Sequence, residues 1–262
     1  MPRYLRAMYV ITSAAGLSAC AKDAPVVAVN GECADVYHAQ VCTWARTKGD
    51  SVVDVGAIVP VASIENAPLD APPVWPPAPA AVLPLPAAVQ QKTGLTHLTM
   101  YWESMGHPPG PYLTPHFDFH FYSVRQDERS AMDCADLSKP SALPSLYSLP
   151  DVALPPPMAK VTGVNTLVGL CVPQMGMHAL PSAVLADTNP MRATMVIGYY
   201  KGKSIFVEPM VSRAMLMEKK AFDLPIPSIP GMRDNYPRSF RAEYDAQQKA
   251  YRFVFSDFGP RT

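Results

Sequence analysis

Polar and apolar positions alternate along much of this chain, and the alternation is clearest at His116-Phe117-Asp118-Phe119-His120-Phe121-Tyr122. Successive side chains of a strand point to opposite faces. His116, Asp118 and His120 therefore share one face, and Phe117, Phe119 and Phe121 share the other. Residues 95–103 alternate in the same way, with His97, Thr99, Tyr101 and Glu103 opposite Leu98, Met100 and Trp102. Gly106-His107-Pro108-Pro109-Gly110 lies between the two segments and is a turn by composition. The two segments read as a hairpin, which brings Glu103 and His107 to one end of the 116–122 strand. Residues 195–200 and 204–211, joined through Lys201-Gly202-Lys203, form a second hairpin. Glu208 sits in its apolar second strand, on the same face as Phe206 and Met210. Residues 36–41 and 51–59 read as strands rich in β-branched side chains. Residues 240–244 and 251–258 make a terminal hairpin, and residues 161–172 are strand-like in composition. Residues 130–137 and 212–221 read as short helices.

Proline adds a second theme. The chain of 262 residues contains 30 prolines, and an interior proline costs a helix roughly 3 kcal/mol. The expected fold is all-β, a barrel-like or sandwich arrangement of antiparallel hairpins with long Pro-rich loops. Residues 65–90 alternate proline with alanine, valine and leucine, which favours extended polyproline-like backbone. Val74, Trp75, Leu83 and Leu85 are too apolar for a freely solvated linker, so this stretch reads as a strap lying on the domain.

The N-terminus combines Arg3 and Arg6 with a short apolar run, then Leu17-Ser18-Ala19-Cys20. That order resembles a bacterial lipoprotein leader, which implies residues 1–19 as signal peptide and Cys20 as the lipidated residue. Residues 20–32 then serve as a tether, and residues 33–262 as a single β-rich domain. Ala21 after Cys20 leans toward the outer membrane of a Gram-negative cell, facing the periplasm. Cys33, Cys42, Cys134 and Cys171 remain, an even number suited to two disulfides outside the cytoplasm. Three pairings are possible; proximity along the chain favours Cys33–Cys42 and Cys134–Cys171. The formal net charge is zero, and no basic block points to nucleic acid.

The candidate chemistry is metal binding. His116, His120, His178 and Glu208 each lie on or beside an expected strand, and imidazoles with one carboxylate suit zinc, iron or manganese. His178 follows Pro173-Gln174-Met175-Gly176-Met177, where Gly176 lets the backbone turn close to a site. Against a single site stands the gap between His116 and His120, about 13 Å of extended chain. A bulge would shorten it; otherwise Asp118 pairs with His120 or orients an imidazole. His107 and Glu103 are further candidate ligands.

Trp102-Glu103…Gly106-His107-Pro108-Pro109, Pro115-His116-Phe117-Asp118-Phe119-His120-Phe121-Tyr122, Met175-Gly176-x-His178 and Phe206-x-Glu208-Pro209-Met210 together resemble an uncharacterised bacterial domain family. That family was first seen structurally in a thermophile protein under an extracytoplasmic stress sigma factor. The resemblance covers about residues 90–215 and implies a β-rich barrel-like fold, an envelope location and homo-oligomerisation, with no activity attached. Ala179 stands where an aromatic is expected in that family. Pro173-x-x-Gly176-x-His178 also resembles the second cupin motif, without the first. The expected function is a lipid-anchored envelope protein that binds a metal ion or small ligand. A cupin-like metal-dependent oxygenase or hydrolase, or a structural lipoprotein without ligand, are the alternatives.

Overall fold

The computed structural model describes residues 24–232 and 235–259. The leader and Cys20 lie outside the described residues. Among the described residues, fifteen strands run in order: β1 (Val26–Val36), β2 (Ala39–Lys48), β3 (Ser51–Pro60), β4 (Ala81–Pro84), β5 (His97–Glu103), β6 (His116–Tyr122), β7 (Tyr147–Ser148), β8 (Val152–Ala153), β9 (Thr166–Leu167), β10 (Met177–Pro181), β11 (Ala193–Tyr200), β12 (Lys203–Ser212), β13 (Phe222–Pro225), β14 (Ser239–Asp245) and β15 (Ala250–Ser256). One sheet has the order β1-β2-β3-β15-β14-β13, a second β4-β5-β6-β12-β11-β10-β7, and β8 with β9 makes a small third. All strand pairs are antiparallel. The two large sheets have free edges and pack face to face, so the all-β expectation resolves to a sandwich, not a closed barrel.

The sandwich core follows from the period-2 pattern. Phe119 meets Phe253 at 4.6 Å between ring centroids, and Phe121 meets Phe255 at 4.7 Å. Both pairs join β6 to β15 across the layers. Phe117, Phe119, Phe121, Phe253 and Phe255 are completely buried. Burying one such side chain stabilises the fold by roughly 1.5–3 kcal/mol.

The opposite face of the seven-stranded sheet carries the polar positions. Water does not cover it. The chain between β6 and β10 folds back over it, and Leu154, Leu167 and Leu170 pack with Val196, Phe206 and Met210 of β11 and β12. A disulfide between Cys134 and Cys171 ties the two ends of this covering segment, and a second joins Cys33 to Cys42 across β1 and β2. The favoured pairing is thus the observed one. The Pro-rich strap begins at the end of α1 (Val61–Glu65), runs into α2 (Ala87–Thr93) and is docked. Trp102 Nε1 donates to Pro68 O at 2.7 Å, Ser104 Oγ donates to Ala71 O at 3.0 Å, and β4 pairs with β5.

Five expectations of secondary structure need correction. The strand expected over 36–41 is broken by a turn at Tyr37 and His38, both at positive φ, between the end of β1 and the start of β2. Residues 26–32, expected within the tether, belong to β1; it is a largely exposed edge strand with an irregularity between Asn30 and Cys33, so its alternation carries little signal. The helix expected over 130–137 is replaced by α3 (Gln126–Ser130), which ends at Ala131 as the chain approaches the Cys134 bridge. Residues 161–172 are not one strand. They contain the end of α4 (Pro156–Thr162), stopped by Gly163 in the left-handed conformation, then β9 and a 3₁₀ turn. The helix expected over 212–221 spans only Arg213–Leu216.

Candidate metal centre

Strand register builds the site. β6 lies between β5 and β12, with Glu103 opposite His116, Tyr101 opposite Asp118 and Thr99 opposite His120. On the other side, Met210 faces Asp118 and Phe206 faces Tyr122. That register carries Glu208 alongside His120. β10 adds His178 from two strands further on, through β11. Every one of these side chains points away from the sandwich core, into the layer beneath the covering segment.

Two clusters result. His120, His178 and Glu208 each offer a ligand atom within 4.8 Å of the others, and so do His107, His116 and Asp118. The four residues expected as one set therefore do not meet. His116 belongs to the second cluster, because β6 pairs with β5 in unbroken register and no bulge shortens the His116–His120 gap. Asp118 and His107 join His116, and Glu103 lies next to them across the β5–β6 ladder.

In the first cluster, His120 Nε2 lies 3.1 Å from Glu208 Oε2. In the second, His116 Nε2 lies 3.3 Å from Asp118 Oδ1. All four atoms are buried and, among the described residues, none makes a hydrogen bond. Donors each bound at about 2.0–2.2 Å to one ion sit roughly 3.0–3.5 Å apart, with lone pairs aimed at the ion instead of each other. The close, non-hydrogen-bonded contacts fit that description.

The histidine tautomers fit as well. Nδ1 of His178 bonds Leu170 O at 2.9 Å, Nδ1 of His116 bonds Thr114 O at 2.7 Å, and Nδ1 of His107 bonds Pro108 O at 2.8 Å. A carbonyl only accepts, so each Nδ1 carries the hydrogen and each Nε2 keeps its lone pair. Backbone carbonyls holding the far nitrogen are how ligating histidines are oriented. Two glycines make the packing possible. Gly176 turns at φ +88, and a Cβ there would stand 2.7 Å from Tyr199 O. Gly198 lies under the Phe206 ring, where a Cβ would come within 2.1 Å of it. Phe206 in turn packs against His120 and His178, with centroids at 4.4 and 5.3 Å.

Burial sets the charge states. It lowers His116, His120 and His178 to about 3, helped at His116 by His107, at His120 by Arg129 and at His178 by His120. Burial also lowers His107. It raises Glu208 well above the usual carboxylate range, and Asp118 likewise, with Glu208 and Glu103 adding repulsion. Glu103 rises to about 7 through desolvation. Neutral imidazoles are the metal-binding form, and a bound cation is the partner that makes a buried carboxylate tolerable.

A cavity of about 590 Å³ opens onto both clusters, with Glu103, His107, Asp118 and His178 in its lining. Its remaining wall is mostly apolar and includes Trp75 of the strap. Two further polar groups stand behind the first cluster. Arg129 is buried, and its Nη1 donates to Tyr101 Oη at 3.2 Å and to Gln174 O at 3.4 Å. Tyr101 contacts His120 edge-on at 5.1 Å. Tyr101 was readable as a polar-face residue from its alternation with Met100 and Trp102. Arg129 lies in a segment without periodicity, and nothing in the sequence marked it.

No family model matches the chain, and no match is found among curated proteins or solved structures.

Proposed function

We propose that this protein binds divalent transition metal ions in the cell envelope, with His120, His178 and Glu208 as one ligand set and His107, His116 and Asp118 as another. One observation carries the reading: two groups of two imidazoles and one carboxylate, buried except for half-buried His107, whose close donor atoms have no hydrogen-bond partner among the described residues. A purely structural lipoprotein would leave those buried acceptors unpaired, a burden of about 1–3 kcal/mol each. The ligand type suits zinc, iron or manganese. Two disulfides agree with an oxidising, extracytoplasmic compartment. No helix among the described residues is long and apolar enough to cross a membrane. The leader pattern ending at Cys20 supports attachment through lipid at the outer membrane, and the PHFDFHFY-type resemblance supports an envelope setting and homo-oligomers.

A metal-dependent enzyme is the second reading, favoured by the cavity beside the clusters. Three protein ligands leave a coordination position free for water or substrate, and His178, His107 and Asp118 all line that space. Metal analysis of the purified full chain tests the first reading. Glu208→Ala and His120→Ala should each abolish one bound ion, and His116→Ala the other. Equal metal content in all four proteins would sink the proposal.

A further inference from the structure

We infer that the cavity takes a small amphiphile: an apolar body held between the strap and α4, with a carboxylate head directed at the metal clusters. This deepens the metal-binding reading and rests on it. The volume, about 590 Å³, lies in the range of sites for drug-sized ligands. The lining is segregated. Its inner end holds Asp118 and His178, each only 5% exposed. Its outer part includes Val74, Met105, Leu113 and Val161, which are 59%, 60%, 55% and 49% exposed. Apolar side chains left in water around the mouth of a cavity mark an interaction site.

Asp118 ties the cavity to the second cluster. Its Oδ1 is buried and without a hydrogen-bond partner among the described residues, and its side chain belongs to the cavity lining. Without a cation this inner end offers an anion no ion to coordinate. With a divalent ion in each cluster, each ion keeps one unit of positive charge after its ligating carboxylate; buried Arg129 stands behind the first cluster, and Glu103 lies beside the second. An anionic oxygen head then completes the coordination while the body removes apolar wall from water.

Tryptophan fluorescence reads this directly, since Trp75 and Trp102 line the cavity. Trp44 lies on the other sheet, with Arg252 over its ring at 4.7 Å. The probes are 12-bromododecanoate and 12-bromododecanol, whose bromine quenches on contact, added below their aggregation concentrations to the zinc-loaded full chain. The expected result is saturable quenching by both, with the acid binding at least tenfold more tightly. Chelating the zinc should erase the acid's advantage and leave the alcohol's binding unchanged. Val161→Glu, at an exposed rim position, should weaken both at least tenfold. No saturable quenching by either probe overturns the cavity as a site for an apolar body, whatever the metal content. Equal binding of acid and alcohol to zinc-loaded protein overturns the head-group assignment. If elemental analysis finds no zinc uptake while the alcohol still quenches, the assignment falls with the metal reading, and the two failures are told apart.

Discussion

Glu208 Oε2 lies 3.1 Å from His120 Nε2, and the two atoms do not hydrogen bond. Glu208 is 0% exposed, and among the described residues neither of its carboxyl oxygens has a hydrogen-bond donor. A buried acid in that state is held neutral, and burial alone pushes its pKa well up. The same residue in contact with a cation would be ionised and stabilising. The relationship between these two atoms therefore makes the metal-free protein the frustrated one.

Replacing Glu208 by an apolar residue of similar size removes that frustration. Glu208→Leu should raise the stability of metal-free protein by about 1–2 kcal/mol, by analogy with buried ionic groups exchanged for hydrophobic ones. It should also abolish any zinc-dependent rise in melting temperature from the first cluster. Calorimetry with and without zinc checks both. A variant less stable than the metal-free parent would mean that Glu208 has a structural partner.

The phenylalanine face of β6 and the hairpin it forms with β5 were legible because period-2 alternation is a local property. So was Glu208, a carboxylate in an apolar strand. The division of the candidate residues into two clusters was not legible. It depends on Glu208 lying opposite His120 while Met210 lies opposite Asp118, and register across β6 and β12 joins residues far apart in the chain. β1 was missed because an exposed edge strand needs no apolar stripe. Arg129 was missed because its burial is imposed by a covering segment whose path prolines and a disulfide determine, and such paths leave no periodic trace.

Metal affinity should rise with pH. In the metal-free fold Glu208 and Asp118 are raised well above their ordinary values and Glu103 reaches about 7. A raised folded-state pKa means that the folded protein holds extra protons, so these groups lose their stabilising contribution as pH climbs through the shifted range. The histidines behave in the opposite sense. Folded values near 3 against an ordinary 6.5 make the fold less stable as pH falls below that ordinary value. A metal needs ionised carboxylates, so binding expels the acid protons. Titration calorimetry in buffers of different ionisation enthalpy should show net proton release on zinc binding, greater at lower pH than at higher pH. Proton release that is zero at both pH values would contradict the shifted carboxyls.

Gly198 should matter beyond its size. A methyl group there meets the Phe206 ring at 2.1–2.4 Å, and that ring packs on both His120 and His178. Gly198→Ala should cost about 1–3 kcal/mol as overpacking and lower metal affinity about 10–100-fold through misoriented imidazoles. The double variant Gly198→Ala with Phe206→Leu relieves the clash and should recover part of the affinity. Unchanged affinity in the single variant would show that Phe206 does not position the histidines.

The two disulfides should separate stability from site integrity. Cys134 and Cys171 are 37 residues apart, and Cys33 and Cys42 are 9 apart. Loop-closure entropy assigns them roughly 4 and 2.6 kcal/mol. Cys171 also directly follows Leu170, whose carbonyl holds His178 Nδ1. Loss of the longer bridge frees that carbonyl along with the covering segment. Cys134→Ser with Cys171→Ser should therefore lower both melting temperature and zinc affinity, whereas Cys33→Ser with Cys42→Ser should lower melting temperature alone. The measurement is zinc affinity at a temperature where all proteins remain folded by circular dichroism. Equal zinc affinity in the two double variants would mean that His178 is held by the sheet and needs no help from the segment above it.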